Sequence, residues 1–124
     1  MEKQPKTVVM LLAHGTREPE ASKPVFEYAK ALAEATQMHV EPCLREFIEP
    51  SIPTVVAKCV NEGVERIVVV PFFLFRSGHV TRDIENSLAV ERAKYPALRF
   101  NVGEPIGFDR GIVEILKRRL ETVL

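Results

Sequence analysis

The feature that most constrains the fold is the ten-residue run Arg66–Phe75, which contains the sequence IVVVPFFLF. Its apolar residues occupy both faces of an extended chain, whereas a strand with one face in water alternates apolar and polar residues. Strands that are buried on both faces are typical of parallel sheets covered by helices. We therefore predict that this run is a central strand of a parallel α/β sheet.

The rest of the chain alternates strand and helix patterns around that run. The predicted strands are Thr7–Ala13, Met38–Phe47, Arg66–Phe75 and Leu98–Val102, and the predicted helices are Lys23–Thr36, Ser51–Glu62, Thr81–Lys94 and Gly111–Val123. Pro42 favours an edge position for the second strand, because proline has no N–H to donate within a sheet. With right-handed crossovers, this order predicts one flavodoxin-like domain over residues 1–124, a four-stranded sheet of order 2-1-3-4 with helices on both faces.

Composition excludes several classes of protein. The 124 residues carry 17 Lys+Arg and 17 Asp+Glu, a balance that argues against a generic nucleic-acid binder. No apolar run approaches the roughly 20 residues that span a membrane. The polar start Met1–Lys6 does not resemble a signal peptide, and Cys43 and Cys59 lack metal-motif spacing. We expect a cytoplasmic protein with reduced thiols.

Three side chains mark the edge of the sheet where a ligand is expected. In such sheets ligands bind beyond the carboxyl ends of the strands where the strand order reverses, here between strands one and three. His14 follows strand one, His79 follows strand three, and Glu46 lies near the end of strand two. Two imidazoles and a carboxylate suit a borderline divalent metal such as Fe, Co, Ni or Zn. Histidine is also the natural proton acceptor near neutral pH.

Several neighbours of these residues suit an anionic ligand. Arg17, Arg76 and Arg82 lie near the same edge, and guanidinium groups pair well with carboxylates. Ser77 and Gly78 form a tight connection that allows the backbone to approach a ligand.

Other polar residues have plainer interpretations. His39 begins strand two at the opposite edge of the sheet, so we interpret it as structural or exposed. Glu49 competes with Glu46 as the acidic residue of the site, but its place before the second predicted helix also suits a helix cap.

Four segments carry a resemblance to a known family. The segments LLAHGTREPE, REFIEPSIPTVV, VVVPFFLFRSGHVTRDI and PIGFD follow one another in the order found in sirohydrochlorin chelatases. From about Val8 to the last helix, the chain resembles the short form of the sirohydrochlorin cobaltochelatase family, among the ATP-independent class II chelatases. The third segment is the most specific of the four.

The resemblance implies insertion of a divalent metal, Co²⁺ first and Fe²⁺ or Ni²⁺ as alternatives, into sirohydrochlorin or a related tetrapyrrole. It implies that His14 and His79 bind the metal and act in catalysis, with Glu46 as an acidic helper. It also implies a homodimer, each chain corresponding to half of the two-domain class II architecture. No nucleotide is expected, since the chain lacks GxxxxGK[ST] and GxGxxG.

Three other functions use the same residues differently. A non-catalytic carrier of a metal or tetrapyrrole would need the same ligands, and only turnover separates it from a chelatase. A histidine phosphatase would have Arg-His-Gly after strand one, where this chain has Ala13 before His14. A receiver-like signalling module would have acidic residues at the positions of His14 and His79.

Overall fold

Strands and helices alternate along the chain in the computed structural model, which describes residues 5–124. The strands are β1 (Thr7–Ala13), β2 (Val40–Leu44), β3 (Arg66–Pro71) and β4 (Arg99–Val102), and the helices are α1 (Pro19–Thr36), α2 (Ile52–Asn61), α3 (Gly78–Lys94) and α4 (Arg110–Glu121). All strand pairs are parallel, and their order is β2-β1-β3-β4. The predicted α/β fold and strand order are confirmed.

The two faces of β1 explain how the sheet is covered. Val8, Met10 and Leu12 alternate along the strand and join the main core, which includes Ile84 and Leu88 of α3. The intervening β1 residues are also buried, toward the face that carries α1. A strand buried on both sides is the pattern of a central parallel strand.

Strand β2 lies at the edge of the sheet, as Pro42 predicts. Its regular part ends at Leu44 rather than Phe47, but pairing with the chain after β1 continues. The Arg45 N–H donates to the Ala13 carbonyl at 2.9 Å, and the Glu46 N–H donates to the His14 carbonyl at 3.0 Å. The tips of β1 and β2 are therefore held side by side.

The segment between β3 and α3 differs from its predicted form. The strand ends at Pro71 instead of Phe75, although the Phe72 N–H still donates to the Leu12 carbonyl at 2.7 Å. Beyond that bond the segment makes no further backbone hydrogen bond to β1, and the chain after β1 pairs with the residues that follow β2 instead. The helix then begins at Gly78, three residues before the predicted Thr81, and it includes His79.

The remaining boundaries differ from their predictions by a few residues. Helix α1 begins at Pro19, four residues before the predicted Lys23, because proline suits the first turn of a helix, where its missing N–H is not needed. Helix α4 contains no buried residue, although one of its faces is apolar. No helix among residues 5–124 is long and apolar enough to cross a membrane.

Both cysteines lie in the core as free thiols. Burial raises the pKa of Cys43 to about 12 and the pKa of Cys59 to about 11. Buried thiols of this kind are chemically inert.

Candidate active site at the carboxyl edge of the sheet

Gly15 brings the tips of β1 and β2 together. Its φ of +90° favours glycine, and a Cβ at this position would lie 2.2 Å from the Glu46 carbonyl oxygen. A side chain at residue 15 would therefore separate the two loops that carry His14 and Glu46. The glycine of the HGT sequence is needed for this close backbone approach.

His14 projects from the end of β1 on the same face as Leu12. Its ring lies edge-on to Phe73, with the ring centroids 6.5 Å apart. The Nδ1 atom is 3.2 Å from Nη2 of Arg45. Since a guanidinium has only donors, Nδ1 accepts this hydrogen bond.

Arg45 lies at the centre of the site. Its side chain is only 11% exposed, and its Nη2 is 3.0 Å from the Glu46 carboxylate. Its Nη1 is 3.3 Å from the carboxylate of Asp83 on α3. One guanidinium thus joins His14, Glu46 and Asp83.

His79 reaches the same group of residues from the first turn of α3. Its Nε2 lies 3.3 Å from Asp83, one helical turn further along. The imidazole is 77% exposed, so most of the ring faces open solvent. His14, Glu46 and His79 therefore lie around one Arg45–Asp83 pair.

The three predicted ligands do not form a ready-made metal site. Within residues 5–124, no three His, Cys, Asp or Glu side chains are placed to hold a metal ion together. Arg45 occupies the space between His14 and Glu46 instead. Metal binding by this set requires its side chains to rearrange.

The residues predicted to bind substrate have different neighbours in the structure. Arg17 stacks on the ring of Phe47, 4.8 Å from its centroid. Arg76 pairs with Glu104, a residue that follows β4. Ser77 is the N-cap residue of α3, Gly78 is its first residue, and both are exposed, as is Arg82 in the next turn.

A groove lies between α3 and the segment after β4. It is lined by residues of the β3–α3 connection, of α3 and of the segment after β4, among them Phe73, Arg76, Ser77 and Glu104. Arg76 and Ser77 therefore border the same groove, whereas Arg17 lies against Phe47 and is not among the lining residues.

His39 and Glu49 have the structural roles expected of them. His39 lies at the opposite edge of the sheet, with Nε2 2.6 Å from Glu41. Burial raises the pKa of Glu41, but hydrogen bonds from Lys58 and His39 outweigh burial and lower it overall. Glu49 accepts from the Ser51 N–H at 2.9 Å, and hydrogen bonding, first from Thr54, lowers its pKa.

Sequence reasoning missed Arg45 and Asp83. Arg45 is two residues after Cys43, which faces the main core, so strand alternation places both on one face. Asp83 is four residues after His79, the spacing of neighbours on a helix surface. Both signals become useful only once the strand register and the start of α3 are known.

Comparisons with known proteins identify similar chains. The family model CbiX matches residues 8–123. The sirohydrochlorin cobaltochelatase of Sulfurisphaera tokodaii (strain DSM 16993 / JCM 10545 / NBRC 100140 / 7) is 37% identical over 94% of this chain and 92% of its own length. The sirohydrochlorin ferrochelatase of Bacillus subtilis (strain 168) is 29% identical over 95% of this chain and 46% of its own length.

A solved structure has a similar fold. The sirohydrochlorin chelatase SirB of Bacillus subtilis subspecies spizizenii, determined in complex with cobalt, superposes with a TM-score of 0.87 and 28% identity. The match covers 95% of this chain and 51% of the SirB chain. The chain thus spans about half of the length of the ferrochelatase and of SirB, and nearly all of the archaeal relative.

Proposed function

The chain belongs to the CbiX family, and on that basis we propose that it inserts a divalent metal ion into sirohydrochlorin without a nucleotide. The observation that carries the proposal is the meeting of His14, Glu46 and His79 around Arg45 at the carboxyl edge of the sheet. Ligands of doubly wound sheets bind at this edge. Similar proteins named as sirohydrochlorin chelatases support the choice of substrate.

The metal substrate we propose first is Co²⁺, with Fe²⁺ and Ni²⁺ as alternatives. His14 and His79 offer imidazole nitrogens and Glu46 offers carboxylate oxygens. Both types of ligand bind all three ions. Cobalt stands first because a relative that this chain matches along nearly its whole length is named a cobaltochelatase.

The reaction requires the macrocycle to lose two pyrrole protons and to accept one cation. An imidazole can hold the ion and then accept a proton once the ion has left its nitrogen. His14 and His79 are both exposed at the sheet edge, so a flat substrate can approach both rings. Glu46, 39% exposed, offsets part of the positive charge of the incoming ion.

We propose that arginine side chains bind the peripheral carboxylates of the tetrapyrrole. Arg76 already pairs with a carboxylate, Glu104, which a substrate carboxylate would replace. Arg17 is held over Phe47, and Arg82 is exposed on α3 near His79. Ser77 and Gly78 offer backbone groups at the start of α3, where the helix dipole favours negative charge.

We further propose that two copies of the chain associate. Phe75, Phe108, Leu116 and Leu120 are large apolar residues that are more than half exposed, on α4 and on the two loops beside it. Large exposed apolar patches mark interaction surfaces. A second copy suits a chain that corresponds to about half of SirB. A cytoplasmic location is part of the proposal, in keeping with two free thiols in the core.

The test is an anaerobic assay with sirohydrochlorin and, separately, Co²⁺, Fe²⁺ and Ni²⁺, followed by the tetrapyrrole absorbance. Multiple turnovers with one metal are expected. His14→Ala and His79→Ala should each abolish insertion without unfolding the protein, because both side chains are exposed. His39→Ala, at the far edge of the sheet, is the matched control and should retain turnover.

Two results would contradict the proposal. A stoichiometric shift of the absorbance that stops after one equivalent would indicate a carrier. Full turnover by either site variant would remove that histidine from the mechanism.

A further inference from the structure

We propose that Arg45 is a displaceable cation that occupies the metal position in the free protein and keeps metal binding there transient. The inference rests on the proposed function, because it concerns the same site. Arg45 would then act as a positioning residue, through its hold on His14 and Glu46, without contacting the macrocycle.

The contacts place the guanidinium where a metal shared by His14 and Glu46 would bind. Nη2 of Arg45 is 3.2 Å from Nδ1 of His14 and 3.0 Å from the Glu46 carboxylate. A divalent cation would bind through the same lone pairs. The metal and the guanidinium therefore compete for the same acceptors.

The hydrogen bond that His14 accepts from Arg45 reinforces this competition. When Nδ1 accepts a hydrogen bond from Arg45, a neutral imidazole carries its proton on Nε2. A metal can then bind neither nitrogen: Nδ1 is occupied and Nε2 is an N–H. Arg45 must release Nδ1 before His14 becomes a ligand through either atom.

Asp83 provides a place for the released guanidinium. Nη1 of Arg45 already lies 3.3 Å from Asp83, so the side chain can keep this ion pair while Nη2 moves away from Glu46. The present position is also incompletely bonded, because the buried Nε of Arg45 has no hydrogen-bond partner among residues 5–124. The guanidinium thus has a second anchor and an unsatisfied donor.

The consequence is a weak and reversible metal site. An enzyme that passes its metal to a macrocycle must let the ion go in every cycle. A tethered cation that returns to His14 and Glu46 as the ion leaves would favour that release.

The experiment measures Co²⁺ binding by calorimetry, in the absence of tetrapyrrole, for wild type and for Arg45→Met. We expect the variant to bind Co²⁺ about tenfold more tightly, since the metal no longer replaces hydrogen bonds between charged groups. In the insertion assay, the KM for Co²⁺ and kcat should fall together, because binding tightens while release slows. Arg45→Lys retains a cation and should return both parameters toward wild type.

Two control variants accompany the calorimetric test. Arg92→Met removes an equal charge from the far part of α3, where Arg92 lies over Phe100, and should leave Co²⁺ affinity unchanged. If Arg45→Met does not fold, the double variant Arg45→Met/Asp83→Asn removes both charges of the pair. It should bind Co²⁺ more tightly than Asp83→Asn alone.

Equal or weaker Co²⁺ binding by Arg45→Met, in a protein that melts like wild type, would overturn the inference. The outcome is separable from the proposed function. Absence of wild-type turnover with every metal would refute the proposed chelatase activity. The role of Arg45 would still be decided by comparing the Co²⁺ affinities of wild type and Arg45→Met. Wild-type turnover with no change in affinity on substitution would refute the role of Arg45 alone.

Discussion

Gly15→Ala is expected to be among the most damaging single-methyl changes in this chain. The added Cβ would lie 2.2 Å from the Glu46 carbonyl oxygen, which is backbone and cannot rotate away. The residue would also retain a φ of +90°, which L side chains rarely adopt. Both effects act at the point where β1 and β2 deliver His14 and Glu46.

The magnitude follows from these two effects. Holding a non-glycine residue at positive φ costs about 1–2 kcal/mol. Forcing packed backbone apart to admit a methyl group costs about 1–3 kcal/mol more. We therefore expect the free energy of unfolding to fall by about 3 kcal/mol and the Tm to fall by about 10–20 °C for a chain of this size.

Gly63→Ala is the matched control, because it separates the two effects. Gly63 also has a positive φ, +78°, but a Cβ there would meet nothing within 4 Å. Urea denaturation followed by circular dichroism should give a loss of about 1 kcal/mol for this variant. The difference in stability loss between the two variants measures the clash with Glu46. Gly15→Ala should also weaken Co²⁺ binding, because it moves Glu46 away from His14. Equal losses of stability, within about 0.5 kcal/mol, would refute the close approach of the two loops.

Three further predictions follow from the core and from α4. Glu41→Gln should lower the free energy of unfolding by about 1–2 kcal/mol at pH 7. Burial opposes the ionised form, but hydrogen bonds from a lysine and a histidine outweigh it and lower the pKa below its ordinary value of 4.5. The greater stability of the wild type is therefore present above pH 4.5 and is lost as the pH falls through the lower folded-state pKa of Glu41. Urea titrations at acid pH should show a smaller difference in the free energy of unfolding between wild type and Glu41→Gln. A difference that stays constant with pH would contradict this prediction. Cys43 and Cys59 should resist N-ethylmaleimide until the protein unfolds, because burial raises their pKa values to about 12 and about 11. Leu116→Glu should convert the proposed dimer to a monomer in sedimentation velocity, whereas Val90→Glu, at a similarly exposed valine on α3, should not. A dimer that persists in Leu116→Glu would exclude α4 as the interface.

The fold was predictable from sequence because its strongest signals are local. The apolar run beginning at Ile67 indicates burial on both faces, and the β1 pattern agrees with it. Pro42 correctly predicts an edge strand. Boundaries were less predictable where tertiary hydrogen bonds decide them. The segment Phe73–Phe75 is as apolar as a strand, but β1 ends at Ala13 and makes no backbone hydrogen bond with it.

The placement of the candidate site residues was predictable to the level of strand ends. His14 and Glu46 follow β1 and β2, and parallel strands bring their carboxyl ends to one edge. His79 reaches that edge as part of α3 instead of from a loop, which gives it Asp83 as a neighbour on the same helix face. The sequence predicted which edge of the sheet His79 reaches. Only the observed start of α3 shows that Asp83 is its neighbour.

Arg45 shows why the rest of the site requires the structure. The register pairs Leu12 with Cys43, so two residues further along His14 lies opposite Arg45 on the face covered by α3. A slip of one residue would put Glu46 opposite His14 and turn Arg45 to the α1 face, with the same sequence and the same strand order. Composition and motif spacing are identical in the two registers, but only the observed one places a cation between the proposed ligands. If Arg45 acts as proposed, the strength of Co²⁺ binding at this site therefore depends on strand register, and the Co²⁺ affinity of Arg45→Met tests that dependence.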